Sequence, residues 1–176
     1  MPPPLLIERV LLVAGAQNAG KSTQLRSMFV DPRFGTGGDI PDGRNLRNTY
    51  LLSPFRHLYL RLTSPHERQE TLDVFLNKIQ TNTGGQGRWN VASAVQINAA
   101  NNMPDLQNIV AAIATRFSPE CIRVAILSPD RHGTVLPNAA QLMQDLQAVQ
   151  SCETLCIDAR SRNHNGLLLA DTFDFA

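Results

Sequence analysis

The segment Ile7–Ala14 constrains the fold of this chain more than any other part of the sequence. It is a nearly continuous apolar run. A strand of this kind is typical of the centre of a parallel sheet, where helices cover both faces. The rest of the chain alternates apolar runs with segments of helical period, as α/β domains do. We therefore predict a three-layer α/β sandwich with a mainly parallel sheet and Ile7–Ala14 as a central strand.

The chain of 176 residues has the length of one domain, for which roughly 100–200 residues are usual. We expect a single domain over residues 1–176, with its core at about 7–160 and a C-terminal tail at 161–176. Apolar residues make up 43% of the chain and charged residues 18%, which excludes a disordered chain. The net charge of +1 gives no electrostatic reason to expect a nucleic-acid partner.

Targeting signals and cysteines bear on the compartment in which the chain works. No window approaches the ~18 uninterrupted apolar residues of a membrane span, so we expect no membrane segment. Met1–Pro4 carries no basic residue ahead of the first apolar run, so we expect no secretory signal. The three cysteines have no metal-ligand spacing, which favours reduced thiols in a reducing compartment. Together these features predict a cytoplasmic protein.

The order of the remaining elements follows from hydrophobic period and from breakers. A helix is expected to begin at about Gly20, and residues 31–48 form a long loop rich in Gly, Asp, Arg and Asn. Thr49–Ser53 and His57–Thr63 are short strands with only three residues between them, too few for a parallel crossover. They predict a β-hairpin that supplies the one antiparallel strand. Further elements are predicted in chain order: a helix over His66–Gln80, a strand over Trp89–Ile97, a helix from Pro104, a strand over Ile122–Leu127, a helix from Pro137 and a strand over Thr154–Ile157.

One motif in the chain carries chemistry. Residues Gly15–Ser22 read Gly-Ala-Gln-Asn-Ala-Gly-Lys-Ser and fit the pattern G-x-x-x-x-G-K-[ST], placed between a buried strand and a helix. Glycines allow such a loop to curl so that its backbone N–H groups face phosphate oxygens. Lys21 would then reach the β- and γ-phosphates, and the Ser22 hydroxyl would bind Mg²⁺. We therefore expect a Mg²⁺-bound nucleoside triphosphate as the ligand. The residues predicted to bind it here are Gly15, Gln17, Asn18, Ala19, Gly20, Lys21, Ser22 and Thr23.

Asn18–Thr23 resembles the loop of GTPases of the Ras and translation-factor class, and the order of elements is similar to that of the Ras-like G domain (TRAFAC class). The resemblance implies a P-loop NTPase with GTP as the first choice of nucleotide and ATP as the second. It also implies slow hydrolysis and a molecular switch that acts on a protein partner or regulator.

The segment after the hairpin departs from that family pattern. Leu62–Glu67 stands where the family has Asp-x-x-Gly, and it is similar to the Thr-x-Pro-Gly-Gln variant of some bacterial members. The resemblance then implies that His66 and Glu67 position the attacking water and form the catalytic set with Lys21. The alternative interpretation of His66 and Glu67 is an ordinary polar first turn of a helix.

The same resemblance suggests residues for the base and for the metal ion. In the place of the guanine motif Asn-Lys-x-Asp only Asp130 matches, and its carboxylate would accept hydrogen bonds that guanine donates and adenine does not. Asp158 stands at the position of the family's loop over the base. Thr36 is the preferred threonine to bind Mg²⁺ with Ser22 and to sense the γ-phosphate, with Thr49 as the alternative. A simple turn residue is the other interpretation of Asp130.

Two other functions are open at this stage. Arg131, Arg160 and Arg162 would clamp a transferred phosphoryl group in an ATP-binding small-molecule or nucleotide kinase. The missing Asp after the hairpin would instead suit a nucleotide-loaded binding module with little catalysis. The tail has no strong period, and it either packs on the domain as a short helix or strand, or docks on another subunit.

Overall fold

The computed structural model describes residues 6–176, so the expectation for Met1–Pro4 lies outside the described residues. Within this range the chain forms one sheet with helices on both sides. The strands are β1 (Leu6–Ala14), β2 (Thr49–Ser53), β3 (Arg56–Arg61), β4 (Arg88–Val95), β5 (Cys121–Leu127) and β6 (Cys152–Ile157). The helices are α1 (Lys21–Ser27), α2 (Leu72–Asn82), α3 (Leu106–Phe117), α4 (Ala139–Gln147) and α5 (Arg162–Ala170). Among residues 6–176 no helix is long and apolar enough to cross a membrane.

The sheet contains six strands in the order β2-β3-β4-β1-β5-β6. β2 is antiparallel to β3, and every other neighbouring pair is parallel. The prediction of a mainly parallel sheet with one hairpin strand is therefore confirmed. β1 is central, because Ala14 lies opposite Val95 of β4 on one side and Ile126 of β5 on the other. β4 thus separates β1 from the hairpin.

Two hydrophobic clusters occupy the two faces of the sheet. Successive side chains of a strand point to opposite faces, and β1 follows this rule. Val10 and Leu12 belong to the cluster that contains residues of α2, α3 and α4. Leu11 and Val13 belong to the cluster that contains residues of α1 and α5. The sheet is therefore the middle layer of three, as the apolar character of β1 predicts.

Three helices begin later in the chain than the sequence predicts. α2 begins at Leu72 and not at His66, because Thr71 is its N-cap and its hydroxyl accepts a hydrogen bond from the Val74 N–H. α3 begins at Leu106, because the Asp105 carboxylate accepts from the Asn108 N–H and caps the helix one residue after Pro104. α4 begins at Ala139, two residues after Pro137. A side-chain acceptor at the N-cap fixes the start of α2 and of α3.

The C-terminal tail packs on the domain, which is one of the two alternatives that the sequence leaves open. Its helix α5 lies against α1, and the Asn165 side chain donates to the Gln24 side chain at 2.9 Å. Beyond α5, Phe173 and Phe175 make edge-on contacts with Phe34. Phe34 belongs to a 3₁₀ turn at the start of the long loop, so the tail holds one end of that loop against the sheet.

Replacing Gly166 by alanine is expected to destabilise the protein by about 3 kcal/mol. A Cβ at this position would lie 2.1 Å from the backbone oxygen of Ser27, so α1 and α5 would have to separate. In a helix without this contact, alanine would be more stable than glycine by about 0.5–1 kcal/mol. A net loss of stability in Gly166→Ala would therefore come from the close contact with Ser27. Urea unfolding measures the change. Gly43→Ala is the control, because nothing lies within 4 Å of a Cβ there. Equal midpoints for the two variants would contradict the expectation.

Candidate functional site

The candidate site lies at the carboxyl end of β1. In open α/β sheets, ligands bind outside the carboxyl ends of strands where connections leave in opposite directions. β1 continues into α1 on one face of the sheet, and its neighbour β5 continues into α4 on the other face. The Gly15–Ser22 loop occupies this position. Its Gly15 N–H donates to Val95 at the end of β4, and its Ala19 carbonyl accepts from the Arg131 N–H after β5.

The backbone of the Gly15–Ser22 loop presents a row of N–H groups. Asn18 (φ 60°) and Gly20 (φ 101°) have left-handed conformations, and such residues turn successive N–H groups into a concave anion site. The amides of Gln17, Asn18 and residues 20–23 donate no hydrogen bond to any of residues 6–176. Space also favours glycine at position 20, since a Cβ would lie 3.3 Å from the Arg131 Cβ, a tight contact. These N–H groups are available to an anion.

Lys21 holds a buried ammonium group over this loop. Its side chain is 5% exposed, and the Nζ atom lies 3.7 Å from the Glu67 carboxylate. The same ammonium donates to the Ala16 carbonyl at 2.6 Å. Burial lowers the pKa of Lys21, and the Glu67 charge acts in the opposite direction. The loop itself therefore fixes the ammonium in place, and one carboxylate compensates its positive charge only in part.

A small cleft of about 130 Å³ opens beside Lys21. Its walls are formed by Asn18, Gly20, Lys21, Ser22, Leu62, Glu67 and Arg131. The structure thus brings together Lys21, Ser22 and Glu67, which the sequence assigned to one site. Arg131, which the sequence assigned only to the kinase alternative, joins them because its backbone is bonded to the loop. Leu62 forms an apolar wall of the cleft, and no motif in the sequence assigns it to the site. Only its position directly after β3 indicates that it lies there.

The ring of His66 lies outside the lining of this cleft, and its catalytic role stays a prediction. The ring is fully buried, with Nε2 3.1 Å from the Pro104 carbonyl and Nδ1 3.2 Å from the Ser64 hydroxyl. Nδ1 also accepts from the Gln96 N–H at 3.4 Å. Burial lowers the pKa of His66, so the ring is neutral and joins the segments after β3 and β4. Glu67 alone of the predicted pair faces Lys21.

Thr36 is also placed apart from the predicted metal ligand Ser22. Its hydroxyl donates to the Phe29 carbonyl at 3.2 Å. Thr36 lines a different cavity, which is formed by residues of the long loop and of β2, whereas Ser22 lines the cleft beside Lys21. The alternative Thr49 lines that same distant cavity. In this conformation Thr36 and Ser22 therefore line different cavities, and the binding of a metal by the two together stays a prediction.

The two predicted base-binding carboxylates differ in position. Asp130 lines a cavity of about 340 Å³ together with Gln17 of the Gly15–Ser22 loop. Its Oδ1 accepts from the backbone N–H groups of Thr134 and His132, and these bonds lower the pKa of Asp130. Asp158 instead pairs with Arg160 at 2.7 Å, which lowers its pKa to about 2. The structure therefore places Asp130 beside the loop, whereas the Asp158 carboxylate is engaged with Arg160.

Comparison with protein families, with curated proteins and with solved structures finds no match to this chain. Over residues 6–176 no group of three or more His, Cys, Asp or Glu side chains is arranged to hold a metal ion. What the site can do chemically follows from its own residues. It combines a fixed ammonium, a row of unbonded backbone N–H groups, one hydroxyl and one carboxylate.

The titration of Lys21 can be followed directly, because the chain contains only two lysines, Lys21 and Lys78. In a chain with ¹³C-labelled lysine, NMR should show Lys21 titrating below the ordinary lysine pKa. Glu67→Gln should lower the Lys21 pKa further, because the Glu67 charge raises it. Glu120→Gln, at an exposed position elsewhere, is the control and should leave it unchanged. An unchanged or higher Lys21 pKa in Glu67→Gln would mean that the two groups do not interact.

Proposed function

We propose that this chain binds a Mg²⁺–nucleoside triphosphate, with GTP as the first choice, through the Gly15–Ser22 loop. It hydrolyses the nucleotide slowly and acts as a switch on a protein partner. The observation that supports this proposal is the Lys21 ammonium, buried above a loop in which the backbone N–H groups of Gln17, Asn18 and residues 20–23 lack acceptors within residues 6–176. A triphosphate supplies the anionic oxygens that such donors require.

For a phosphate to reach the Lys21 ammonium, a phosphate oxygen must replace the Glu67 carboxylate, and the length of the Lys21–Glu67 contact favours this replacement. At 3.7 Å it is longer than a charge-assisted hydrogen bond, which is usually about 2.7–2.9 Å. A phosphate oxygen can therefore replace Glu67 at the ammonium without breaking a short bond. The Ala16 carbonyl keeps Lys21 in position during the exchange. Arg131, which also lines the cleft, adds a second positive charge for the phosphates.

The residues of the cleft fit a Mg²⁺ ion bound together with the nucleotide. Mg²⁺ keeps several waters and needs only one or two protein ligands besides the phosphates. The exposed Ser22 hydroxyl and the Glu67 carboxylate both line the cleft and would hold the ion directly or through water. When bound, Mg²⁺ neutralises charge on the β- and γ-phosphate oxygens. Thr36 has no part in this proposal in the conformation described.

The larger cavity beside Gln17 is the place proposed for the base. Its volume of about 340 Å³ lies within the roughly 300–1,000 Å³ of small-molecule pockets. Leu127 and Val135 provide apolar walls, and Asp130 provides a carboxylate. Both backbone hydrogen bonds to Asp130 go to Oδ1, so Oδ2 is left to accept from guanine N1–H and N2–H₂. Adenine offers no matching donors, which is why GTP is preferred to ATP.

Slow hydrolysis follows from the few groups that can act on water. The ring nitrogens of His66 are engaged with Pro104, Ser64 and Gln96, so Glu67 is the remaining candidate to position the attacking water. Glu67 also pairs with Lys21, and the γ-phosphate would compete for that contact. Nucleotide state would thereby change the conformation of the segment that follows β3, and a protein partner would recognise that change.

Lys21→Ala is expected to weaken Mg²⁺–GTP binding at least 100-fold, because it removes the ammonium that faces the phosphates. Isothermal titration calorimetry measures the affinity. Arg44→Ala, at an exposed position of the long loop, should bind within twofold of the unchanged chain. If no triphosphate binds to the unchanged chain, or if Lys21→Ala binds equally well, the proposed function is wrong.

Asp130→Ala is expected to weaken GTP binding about tenfold and to leave ATP binding within twofold. The lost carboxylate interacts with guanine alone, and one such pair contributes about 1–3 kcal/mol of discrimination. Competition between GTP and ATP in the same titration gives the ratio. An equal loss for both nucleotides would show that Asp130 shapes the loop and does not select the base.

A further inference from the structure

A second cavity lies on the other side of Leu62 from the cleft that contains Lys21. Its volume is about 370 Å³, and it is formed by residues 46–48, residues 59–63, Arg68 and Glu70 of the segment that leads into α2, and Lys78 of α2. Leu62 lines both spaces. We name this space the Arg47–Arg68 cavity, after the two arginines at its rim. Nothing in the nucleotide proposal uses it.

The Arg47–Arg68 cavity has a large excess of positive charge. Its lining contains the cations Arg47, Arg61, Arg68 and Lys78, and one carboxylate, that of Glu70. Since the whole chain has a net charge of only +1, this excess of three is not a result of a basic composition. The topology collects these four cations from the long loop, β3, the turn before α2 and α2 itself.

The one carboxylate of the cavity is already shared by two cations. Glu70 is buried, and its Oε2 accepts from the Arg61 guanidinium at 2.6 Å while its Oε1 accepts from the Lys78 ammonium. Burial acts to raise the pKa of Glu70, but the hydrogen bonds and charges of Lys78 and Arg61 outweigh it, so the pKa is lowered. Glu70 is therefore ionised and has no capacity left to neutralise further cations.

Arg47 and Arg68 are thus left without an ion pair among residues 6–176. A guanidinium matches the geometry of carboxylate and phosphate groups and binds them through two parallel hydrogen bonds. Asn48 and Thr63 add uncharged polar groups to the lining, which suits an organic ligand with hydroxyl or carbonyl groups. The volume of the cavity is within the range of about 300–1,000 Å³ for small-molecule sites.

We propose that the Arg47–Arg68 cavity is a second ligand site, which binds a small organic anion with two or more negative charges carried by phosphate or carboxylate groups. Glu67 lines the cleft beside Lys21, and the next residue, Arg68, lines this cavity. The two sites therefore lie on the two sides of one short segment, each with its own anion-binding groups. This site does not depend on whether the Gly15–Ser22 loop binds a nucleotide.

The test titrates inorganic phosphate and, separately, citrate into the ¹⁵N-labelled Lys21→Ala chain and follows backbone amides by NMR. The amides of Asn48 and Thr63 report on the cavity, and those of Gly20 and Ser22 report on the loop. We expect saturable shifts at Asn48 and Thr63 with at least one probe. The double variant Arg47→Gln/Arg68→Gln should weaken this binding at least tenfold, because it removes the two unpaired guanidinium groups.

Arg44→Gln is the matched control, since Arg44 lies in the same loop but does not line the cavity, and it should bind within twofold. Circular dichroism melting verifies that each variant is folded. If the double variant melts early, Arg68→Gln alone replaces it in the titration and is expected to weaken binding about threefold. Binding of phosphate alone assigns a phosphorylated ligand, and binding of citrate alone assigns a polycarboxylate. Without saturable shifts at Asn48 and Thr63 for either probe, or with unchanged affinity in the arginine variants, the proposal is overturned.

Discussion

The burial of β1 on both faces is the constraint on which the rest of the structure depends. β1 lies between β4 and β5, and its alternate side chains enter both hydrophobic clusters. The strand carries two charged residues near its start, Glu8 and Arg9, and is apolar from Val10 to Ala14. Polar groups therefore return at its carboxyl end, where the Gly15–Ser22 loop begins. The loop is then supported from both neighbouring strands, through hydrogen bonds with Val95 and Arg131. A buried ammonium can be held at a defined point only on a support of this rigidity.

The sequence predicts well those elements whose signal is local. Every strand was recognised as a short apolar run between breakers, and the hairpin followed from the length of its turn. The sequence leaves open whether the tail is a helix or a strand, because the buried face of α5 includes Asn165 and Gly166, a polar residue and one without a side chain, so no apolar period is visible. The close approach of Gly166 to Ser27 is a tertiary contact that hydrophobic period does not encode.

The candidate site shows the same division between local and distant signals. Lys21, Ser22 and their loop were found because one contiguous motif contains them. The buried setting of His66 cannot be predicted from the local sequence, because its partners Pro104 and Gln96 come from segments 30 or more positions away. A polar residue beside a motif suggests catalysis in a sequence, whereas here it satisfies backbone groups inside the fold. The Arg47–Arg68 cavity was missed for the same reason, since its cations come from four separate elements.

The segment between β3 and α2 is buried at both ends and exposed in the middle. At its start, Ser64 and His66 are buried, and the His66 ring is bonded to Pro104 and Gln96 in the segment that follows β4. At its end, Glu70 is buried between Arg61 and Lys78. Between these anchors residues 67–69 are exposed, and they include the one carboxylate that faces Lys21 and one arginine of the second cavity. A ligand that displaces Glu67 from Lys21 therefore moves a short stretch of chain and not the whole segment. Arg68 belongs to that stretch, so an anion in either cavity beside Leu62 would act on the same few backbone torsions. Binding at one site would in this way change the affinity of the other.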